Sequence, residues 1–270
     1  GGFFRKNAFG LIQEYCTNIK LSGILINMLN DKIFKIWTPE MSYLLGYIVA
    51  DGCIAISKDR KKNPFTLNIT SIDKKHLYKL RQILKSKHKI GKKTNGRNGV
   101  GFQIQIRNLT LAEDLISLGI YPRKTYNLKQ ISVPQKYFAD FTRGFFDGDG
   151  TVYIYTVNNT PQIKAGFISS SLSFITSFNK QLCQNLSIPT KTIHKNIDKR
   201  KTHINTYSIY FYIDDCEKLF QFMYKKGASL FLTRKYQKFL KWKNKNKRPY
   251  IKQDYPSKIG WQLNKKNYSA

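Results

Sequence analysis

Apolar and polar residues in the first half of the chain recur with two different spacings. Leu77, Leu80 and Leu84 lie three or four positions apart, which places them on one face of an α-helix. Other segments alternate apolar and polar residues and are rich in β-branched side chains, as half-buried strands are. The predicted order is helix–strand–strand–helix–strand–strand–helix, over residues 39–51, 53–57, 65–72, 73–87, 89–94, 100–108 and 110–120.

The second half repeats this order. Its helical and strand-like segments are residues 135–149, 152–157, 162–170, 172–186, 191–197, 206–213 and 216–227. The stretch LLGYIVADGCI at 44–54 aligns without a gap with TRGFFDGDGTV at 142–152, 98 positions later. The segments PRKTYNL at 122–128 and TRKYQKF at 233–239 correspond as well. The sequence therefore predicts an α+β protein built from two copies of one αββαββα repeat.

The repeat divides the chain into four regions. The first copy is expected to span residues 38–128 and the second copy residues 129–243. Residues 1–37 form an N-terminal extension of mixed apolar and basic character, expected to pack on the core. Residues 244–270 form a tail rich in Lys and Asn. Such a tail either adds phosphate contacts or serves only as a solubilising end.

Small residues within the two aligned helices predict how these helices pack. Gly46 and Ala50 in the first helix correspond to Gly144 and Gly148 in the second. A glycine inside a helix costs about 1 kcal/mol relative to alanine, so its presence needs a reason. Small residues four positions apart share a helix face and let two backbones approach closely. The two helices are therefore predicted to pack against each other.

An aspartate ends each of these helices, Asp51 in the first and Asp149 in the second. A carboxylate at a helix C-terminus faces the negative end of the helix dipole, and pairing the helices adds repulsion between the two acids. Hard divalent cations prefer carboxylate and carbonyl oxygens, and we expect free carbonyls at Ala50 and Gly148. The pattern predicts a Mg²⁺ site, which Mn²⁺ or Ca²⁺ could also occupy. The glycines that follow, Gly52 and Gly150, are expected in the left-handed cap conformation.

The excess of basic residues limits the classes of partner that the protein is expected to bind. The chain carries 47 basic and 16 acidic residues, a formal net charge of +31. Self-repulsion of this size weakens the compact state unless a polyanion is bound. Nucleic-acid phosphates are the usual polyanion, and Lys and Arg contacts to them supply affinity without sequence preference. A membrane partner is not expected, because no stretch approaches the roughly 18–20 apolar residues of a spanning helix.

The cysteines and the overall composition indicate less about function than the charge does. Cys16, Cys53, Cys183 and Cys216 are scattered and form no C-x-x-C pair. We expect reduced, buried thiols instead of a disulfide framework or a zinc ribbon. The abundance of Lys, Asn, Ile, Phe and Tyr is typical of translation from an AT-rich genome. That composition hints at a mitochondrial or other organellar setting and leaves the localisation open.

The two motifs and the duplicated order resemble a single-chain LAGLIDADG homing endonuclease over about residues 38–243. This resemblance implies two saddle-shaped antiparallel sheets that straddle DNA in the major groove. In that family the eighth motif position is the metal-binding acid, which falls on Asp51 and Asp149. The resemblance implies that these acids and their metal ions cut both strands across the minor groove and leave 3′ overhangs. The first motif departs from the family name at the sixth position, where it has Val49 and the second copy has Asp147.

Two further groups of residues are expected to act on DNA. Family members use basic residues near the metals to stabilise charge, and Lys124 and Lys235 occupy equivalent places in the two repeats. Their alternative role is simple phosphate contact. Sequence readout is expected from polar side chains on one face of the strands. The candidates are Ser57, Asn68, Thr70, Gln103, Gln105 and Arg107 in the first half, and Tyr153, Tyr155, Lys164, Ser169, His194, Lys195, Tyr207 and Tyr210 in the second.

A different enzyme family also resembles part of the second motif. In haloacid-dehalogenase-type phosphatases the equivalent of Asp147 is the nucleophile and that of Asp149 the general acid, and Asp214–Asp215 mimics their metal-binding pair. That loop should follow a strand near the start of a parallel α/β domain, whereas here it follows a helical pattern in mid-chain. The phosphatase reading also leaves the first motif and the positive charge unexplained. A calcium EF-loop is excluded because Val152 stands where the loop needs glycine.

The closer alternatives share the LAGLIDADG fold. Such proteins also serve as RNA maturases that help introns fold, or as DNA-binding proteins without cleavage activity. Two intact acids favour cleavage, because a pure binding protein has little use for a repulsive pair. The sequence thus predicts a monomeric, Mg²⁺-dependent endonuclease with a long, asymmetric double-stranded DNA target. Its own intron RNA is a second candidate partner.

Overall fold

A computed structural model describes residues 29–57, 63–95, 99–197, 205–225 and 227–246. The N-terminal extension up to residue 28, Cys16 and the tail from residue 247 lie outside these ranges. The first repeat is preceded by a 3₁₀ turn at Ile33–Lys35. Its elements are α1 (Pro39–Asp51), β1 (Gly52–Ile56), β2 (Phe65–Ser71), α2 (Lys74–Ile83), β3 (Ile90–Asn95), β4 (Gly99–Ile106), α3 (Leu109–Ser117) and the short α4 (Lys124–Asn127).

The second repeat has the same order and is reached through a 3₁₀ turn at Gln135–Tyr137. Its elements are α5 (Phe138–Asp149), β5 (Thr151–Val157), β6 (Thr160–Ser169), α6 (Leu172–Leu186), β7 (His194–Asn196), β8 (Thr206–Tyr212), α7 (Ile213–Met223) and α8 (Thr233–Lys245). The predicted duplication of an α+β repeat is confirmed. Each repeat forms one four-stranded antiparallel sheet, in the order β1-β2-β4-β3 or β5-β6-β8-β7.

Helices α1 and α5 form the centre of the molecule and pack along their whole length. A Cβ built on Gly46 would lie 2.1 Å from the carbonyl oxygen of Phe141, and a Cβ on Gly144 would lie 2.0 Å from that of Tyr43. A Cβ on Gly148 would lie 2.2 Å from the Cβ of Ala50. These distances leave no room for a methyl group, so the backbones touch where the small residues stand.

The first turn of α1 forms as the sequence predicts, whereas its last residue differs from expectation. Thr38 is the N-cap, and its Oγ1 accepts a hydrogen bond of 3.1 Å from the amide of Met41. The prediction of left-handed caps is wrong, because Gly52 and Gly150 both have extended backbone. A Cβ on Gly150 would lie 2.4 Å from the carbonyl oxygen of Phe146. Glycine is needed there for the tight passage from helix to strand.

Two elements are shorter than the sequence pattern predicts. Helix α2 ends at Ile83 because Lys85 has a φ of 47° and the amide of Ser86 bonds back to the carbonyl of Arg81. Strand β7 begins only at His194. The side chain of Asn179 holds the backbone of Lys191 through bonds of 2.7 Å and 3.1 Å, which keeps that segment off the sheet.

The helices cover one face of each sheet and bury two cores of different composition. In the first repeat, aliphatic side chains such as Leu77, Leu80 and Ile104 fill the space between sheet and helices. In the second repeat, an aromatic cluster fills it, with the ring of Phe167 4.9 Å from Phe178 and 5.5 Å from Phe145. Among the residues that the structure describes, no helix covers the opposite face of either sheet, which presents alternating polar side chains.

The cysteine prediction is partly wrong. Cys183 and Cys216 are buried free thiols, as expected, but Cys53 is exposed on strand β1. Alternation along β1 buries Gly52 and Ile54, which turns Cys53 outward. None of the helices in the described part of the chain combines the length and hydrophobicity of a bilayer-crossing segment.

The contact between α1 and α5 can be tested with single methyl groups. Gly46→Ala and Gly144→Ala should each lower the free energy of unfolding by about 2–3 kcal/mol, because the added Cβ meets backbone that cannot move aside. Chemical denaturation measures the change. Gly91→Ala is the matched control, since a Cβ at Gly91 has no neighbour within 4 Å. Equal stability of all three variants would contradict the close helix contact.

Candidate functional site

The C-terminal ends of α1 and α5 bring Asp51 and Asp149 together at the middle of the molecule. A Cβ built on Gly148, the residue before Asp149, would lie 3.5 Å from Oδ2 of Asp51. The strands β1 and β5 leave directly after these acids, so each carboxylate lies where a helix end meets the first strand of its sheet. The close packing at Ala50 and Gly148 is what allows the two carboxylates to approach.

Burial and mutual repulsion set the electrostatics of this pair. Burial and, to a smaller extent, the nearby charge of Asp51 raise the pKa of Asp149 to about 6, although Lys124 and Lys235 oppose the shift. Burial also raises the pKa of Asp51, against the opposing effect of Lys235, Tyr47 and Lys124. Ionisation of Asp51 thus disfavours ionisation of Asp149, and additional positive charge beside the two acids would relieve this repulsion.

Lys124 and Lys235 cap the two helix ends. The ammonium of Lys124 donates to the carbonyl of Val49 at 2.5 Å and to that of Ala50 at 3.1 Å. The ammonium of Lys235 contacts the end of α5, donating to the carbonyls of Phe146 (2.6 Å), Asp147 (2.8 Å), Gly148 (3.2 Å) and Gly150 (2.5 Å). Cations at a helix C-terminus offset the negative end of its dipole.

The hydrogen bonds of Lys124 and Lys235 contradict the expectation of free carbonyls at the helix ends. The carbonyls of Ala50 and Gly148 are not free, because each accepts a hydrogen bond from a lysine ammonium. The physical reason is that orphan carbonyls at a buried helix end need donors, and the last helix of each repeat, α4 or α8, supplies one. Burial lowers the pKa of Lys124, and it lowers the pKa of Lys235 to about 8.

The candidate metal ligands at the helix ends are two carboxylates, those of Asp51 and Asp149. Within the described residues, no three His, Cys, Asp or Glu side chains form a cluster that could hold a metal. Asp51 and Asp149 are nevertheless a partly buried acidic pair, with the pKa of Asp149 raised by burial and by the charge of Asp51, and their oxygens are the ligands that Mg²⁺ and Ca²⁺ prefer. The two carboxylates therefore fit a hard cation whose remaining ligands come from water or from phosphate oxygens.

Asp147 has a structural role that sequence reasoning missed. Its Oδ2 accepts hydrogen bonds from the hydroxyl of Tyr43 (2.6 Å) and from the amide of Leu232 (2.7 Å). The Tyr43 hydroxyl also lies 3.1 Å from Nε2 of His76, a buried imidazole whose pKa is lowered to about 3 by burial. The residue is 1% exposed. The sequence feature that could have indicated this role is the difference between the two motifs at their sixth position, which is Asp147 in the second copy and Val49 in the first.

The same buried face of α5 anchors the segment that leads to Lys235. Arg143 donates to the carbonyl of Leu230 at 2.8 Å and to that of Met223 at 2.7 Å, and pairs with Asp140 at 2.7 Å. Together with the hydrogen bond that the amide of Leu232 donates to Asp147, these contacts hold the chain just before α8. The position of the Lys235 ammonium at the end of α5 follows from this anchoring.

The buried position of Asp147 also excludes the phosphatase alternative. A nucleophilic carboxylate must reach a phosphate, but Asp147 lies between two helices and has its Oδ2 occupied by two donors. Its helix leads into an antiparallel sheet, not a parallel one. Asp214 and Asp215, the proposed metal-binding pair of that reading, lie in the first turn of α7 in the second repeat.

A cleft of about 480 Å³ opens beside Asp51. Its wall includes the ends of α1 and α5 and the outer edge of the first sheet. Lys93 and Arg234 add positive charge to this wall, and neither was predicted as a site residue. Arg234 reaches across from the second repeat to Asp73, with Nε 2.9 Å from Oδ2. The cleft thus places basic side chains of both repeats next to a candidate metal-binding acid.

The helix-free face of the first sheet collects most of its predicted readout residues. Asn68 pairs with Gln105, and Thr70 pairs with Gln103, so these four side chains form two adjacent rows. Ile69 and Ile104 alternate with them and are buried against the helices. Predicted residues Ser57 and Arg107 lie just beyond the ends of β1 and β4, in step with the same alternation.

The second sheet presents a different chemistry on its helix-free face. Tyr153 pairs with Lys164, and Lys164 pairs in turn with Tyr212. Gly166 pairs with Tyr210, whose ring lies 5.6 Å from that of His194. Tyr155 stands beside Tyr153 at 6.1 Å between ring centroids. Tyr212 was not predicted, although it continues the alternation that begins at Tyr210.

Three predicted readout residues lie on the wrong side of this sheet. Ser169 pairs with Tyr207 in the same alternation as the buried Phe167 and Ile209, and Tyr207 packs against the core. Lys195 pairs with Tyr207 and falls on the same side. The reason is strand geometry, because successive side chains point to opposite faces. Residues 207 and 210 are an odd number of positions apart and cannot share one face.

Comparisons with a protein-family model and with solved structures identify proteins of similar sequence and fold. Residues 38–115 match the family model of the LAGLIDADG-like domain. Among solved structures, the LAGLIDADG homing endonuclease I-GzeII in complex with its DNA target is similar, with a TM-score of 0.50 and 13% identity over 77% of this chain and 89% of that chain. A search of curated protein sequences finds no match.

Two further DNA complexes align over similar lengths. I-WcaI bound to its DNA recognition sequence has a TM-score of 0.47 and 15% identity over 81% of this chain and 96% of that chain. The LAGLIDADG meganuclease I-AabMI bound to uncleaved DNA has a TM-score of 0.48 and 15% identity over 78% and 92%. The resemblance to the LAGLIDADG family is confirmed: residues 38–115 form a LAGLIDADG-like domain, and the chain has the duplicated fold of LAGLIDADG homing endonucleases.

The charge of Asp149 should make stability depend on pH in the absence of divalent cations. The folded protein holds the Asp149 proton more tightly than the unfolded chain, since the pKa is about 6 instead of 3.8. This carboxyl therefore lowers stability progressively between about pH 4 and pH 6 and fully above that. Asp149→Asn should raise the free energy of unfolding by about 1–2 kcal/mol at pH 8.

Denaturation in EDTA at pH 4 and pH 8 checks this expectation. The gain from Asp149→Asn should be much smaller at pH 4, because the wild-type carboxyl is then protonated in the folded state and only partly ionised in the unfolded chain, where its pKa is 3.8. Glu113→Gln, an exposed substitution on α3, is the control for a general loss of negative charge. An equal gain at both pH values would contradict the assigned shift.

The anchoring role of Asp147 predicts a graded response to substitution. Asp147→Val leaves the Leu232 amide without a partner and the Tyr43 hydroxyl with only His76, and it should cost about 2–4 kcal/mol. Tyr43→Phe removes only the hydroxyl and should cost less. Hydrogen exchange at the Leu232 amide should accelerate strongly in Asp147→Val and little in Tyr43→Phe. Unchanged exchange in both variants would show that Asp147 does not hold this segment.

Proposed function

We propose that this protein is a site-specific, divalent-metal-dependent endonuclease that cuts both strands of double-stranded DNA. The observation that carries the proposal is the pair of acids, Asp51 and Asp149, brought together between two sheets whose helix-free faces are polar. A pure binding surface has no need for two carboxylates held so close that the charge of Asp51 adds to the effect of burial and raises the pKa of Asp149. The net charge of +31 supports a nucleic-acid substrate.

Two acids and two lysines of this chain would take part in cleavage. Asp51 and Asp149 would hold Mg²⁺, with Mn²⁺ or Ca²⁺ able to occupy the same place. Bound metal would supply activation of water and neutralisation of the leaving oxygen. Lys124 and Lys235 hold ammonium groups beside the two acids, where they would stabilise negative charge developing on the phosphate. Because one acid belongs to each repeat, each DNA strand would be cut at a separate metal centre.

The two sheets would position the DNA across these centres. Asn and Gln side chains suit hydrogen bonding to base edges in the major groove, and both sheets carry their polar face on the side without helices. The acids at the end of the central helices would then face the minor groove, and cleavage would leave 3′ overhangs. Since the two faces differ in composition, the target would be long and asymmetric, and one chain would suffice to bind it.

Cleavage of a plasmid library with a randomised insert tests the proposal. With Mg²⁺, the wild-type protein should linearise a subset of plasmids, and sequencing of the ends should reveal 3′ overhangs at one site. Asp51→Asn and Asp149→Asn should each reduce double-strand cutting below detection, because each removes the acid of one centre. DNA affinity of both variants should stay within about tenfold of wild type, since neither acid supplies phosphate contacts.

Controls separate this function from its alternatives. Glu113→Gln, which changes an exposed acid away from the helix ends, should cut normally. Normal cutting by both aspartate variants would overturn the site assignment. Sequence-specific DNA binding without any cutting by wild type would instead favour a non-cleaving binding protein, and tighter binding to intron RNA would favour a maturase. Hydrolysis of small phosphomonoesters should be absent.

A further inference from the structure

The helix-free face of the second sheet contains a lysine held among three tyrosine rings. The ammonium of Lys164 lies 3.7 Å from the ring centroid of Tyr210, 5.3 Å from that of Tyr212 and 5.9 Å from that of Tyr153. Its two partners in sheet register are Tyr153 on β5 and Tyr212 on β8. Lys164 is therefore flanked on both sides and contacted by a ring from the next pair.

Gly166 makes the closest of these contacts possible. It pairs directly with Tyr210, and a Cβ at position 166 would lie 2.6 Å from Cδ1 of that tyrosine. With no side chain at Gly166, the Tyr210 ring lies against the backbone and reaches the Lys164 ammonium. The ring of His194 borders Tyr210 at 5.6 Å. A cation over an aromatic face is stabilised by about 0.5–1 kcal/mol at exposed sites.

The cation has no acidic partner. Among the residues that the structure describes, no carboxylate lies within ion-pair distance of Lys164. The hydroxyls of Tyr153 and Tyr212 accept hydrogen bonds from the ammonium, and the ring of Tyr210 lies against it. These contacts restrict the side chain, which lowers the entropy cost of binding, and they leave the third N–H of the ammonium for a ligand.

The first repeat has no counterpart of this arrangement. Aligned by the duplicated motifs, Lys164 corresponds to Thr66 and Tyr153 to Ala55. The first sheet instead presents amide side chains, Asn68, Gln103 and Gln105, in neighbouring rows. The two sheets therefore differ in the base edges they suit. Amides pair with adenine, whereas a lysine ammonium pairs with the O6 and N7 acceptors of guanine.

We infer that Lys164, held by the rings of Tyr153, Tyr210 and Tyr212, is a specificity-determining residue that reads one guanine in the half of the DNA target bound by the second sheet. This inference rests on the proposed binding of double-stranded DNA. It does not depend on cleavage. Tyr210 is the positioning residue, because its ring is the closest support of the ammonium.

Selection of DNA from a randomised duplex library, in EDTA and with the full chain, tests the inference. Wild-type protein should enrich guanine at one position of the second half-site. Lys164→Gln should lose that enrichment by about tenfold or more, while preferences at other positions stay unchanged. Lys195→Gln is the matched control, since Lys195 is an exposed lysine on the other side of the same sheet.

Variants of the supporting ring sharpen the test. Tyr210→Phe keeps an aromatic face under the ammonium and should keep the guanine preference, whereas Tyr210→Leu should relax it although Lys164 is still present. A uniform loss of affinity across all sequences in Lys164→Gln would assign this lysine to phosphate contact and overturn the inference. An unchanged preference would overturn it as well. If wild-type protein selects no sequence at all, the proposed function fails together with it.

Discussion

The contact between the backbones of α1 and α5 is the constraint on which the rest of the structure depends. At Gly46 and Gly144 the helices are so close that even one methyl group would meet a carbonyl oxygen of the opposite helix. This approach sets the distance between the helix ends and therefore between Asp51 and Asp149. It also sets how the two sheets face each other, because β1 and β5 start directly from these ends.

Close approach of two acids creates an electrostatic difficulty, and the chain meets it with two lysines. Lys124 and Lys235 each arrive from the segment that follows the second sheet hairpin of a repeat and end among the last carbonyls of a central helix. One ammonium thereby satisfies buried carbonyls and partly balances the acid beside it. Burial still raises the pKa of both acids, and the charge of Asp51 adds to the shift at Asp149, which leaves a place for further positive charge.

The duplicated order of elements and the central helix pair could be predicted from the sequence, because both depend on local periodicity and on a repeat that is visible in the letters. The left-handed caps could not, since Gly52 and Gly150 serve tight packing that only the three-dimensional path reveals. The same holds for the carbonyls taken by lysines and for the bonds of Asp147, which join residues far apart in the chain. The errors at Ser169, Lys195 and Tyr207 were avoidable, because strict strand alternation already separates them from Lys164 and Tyr210.

The hydrogen bond between Tyr43 and Asp147 has a consequence for how copies of this chain meet. By the alignment of the repeats, Phe141 is the equivalent of Tyr43, and Val49 is the equivalent of Asp147. If two second repeats from different molecules paired through α5, Asp147 would be buried against Phe141 and would keep only the amide of Leu232 as a donor, at a cost of about 1–3 kcal/mol for each chain. One buried polar contact thus discriminates against exchange of halves between molecules and favours the pairing of each first repeat with the second repeat of its own chain.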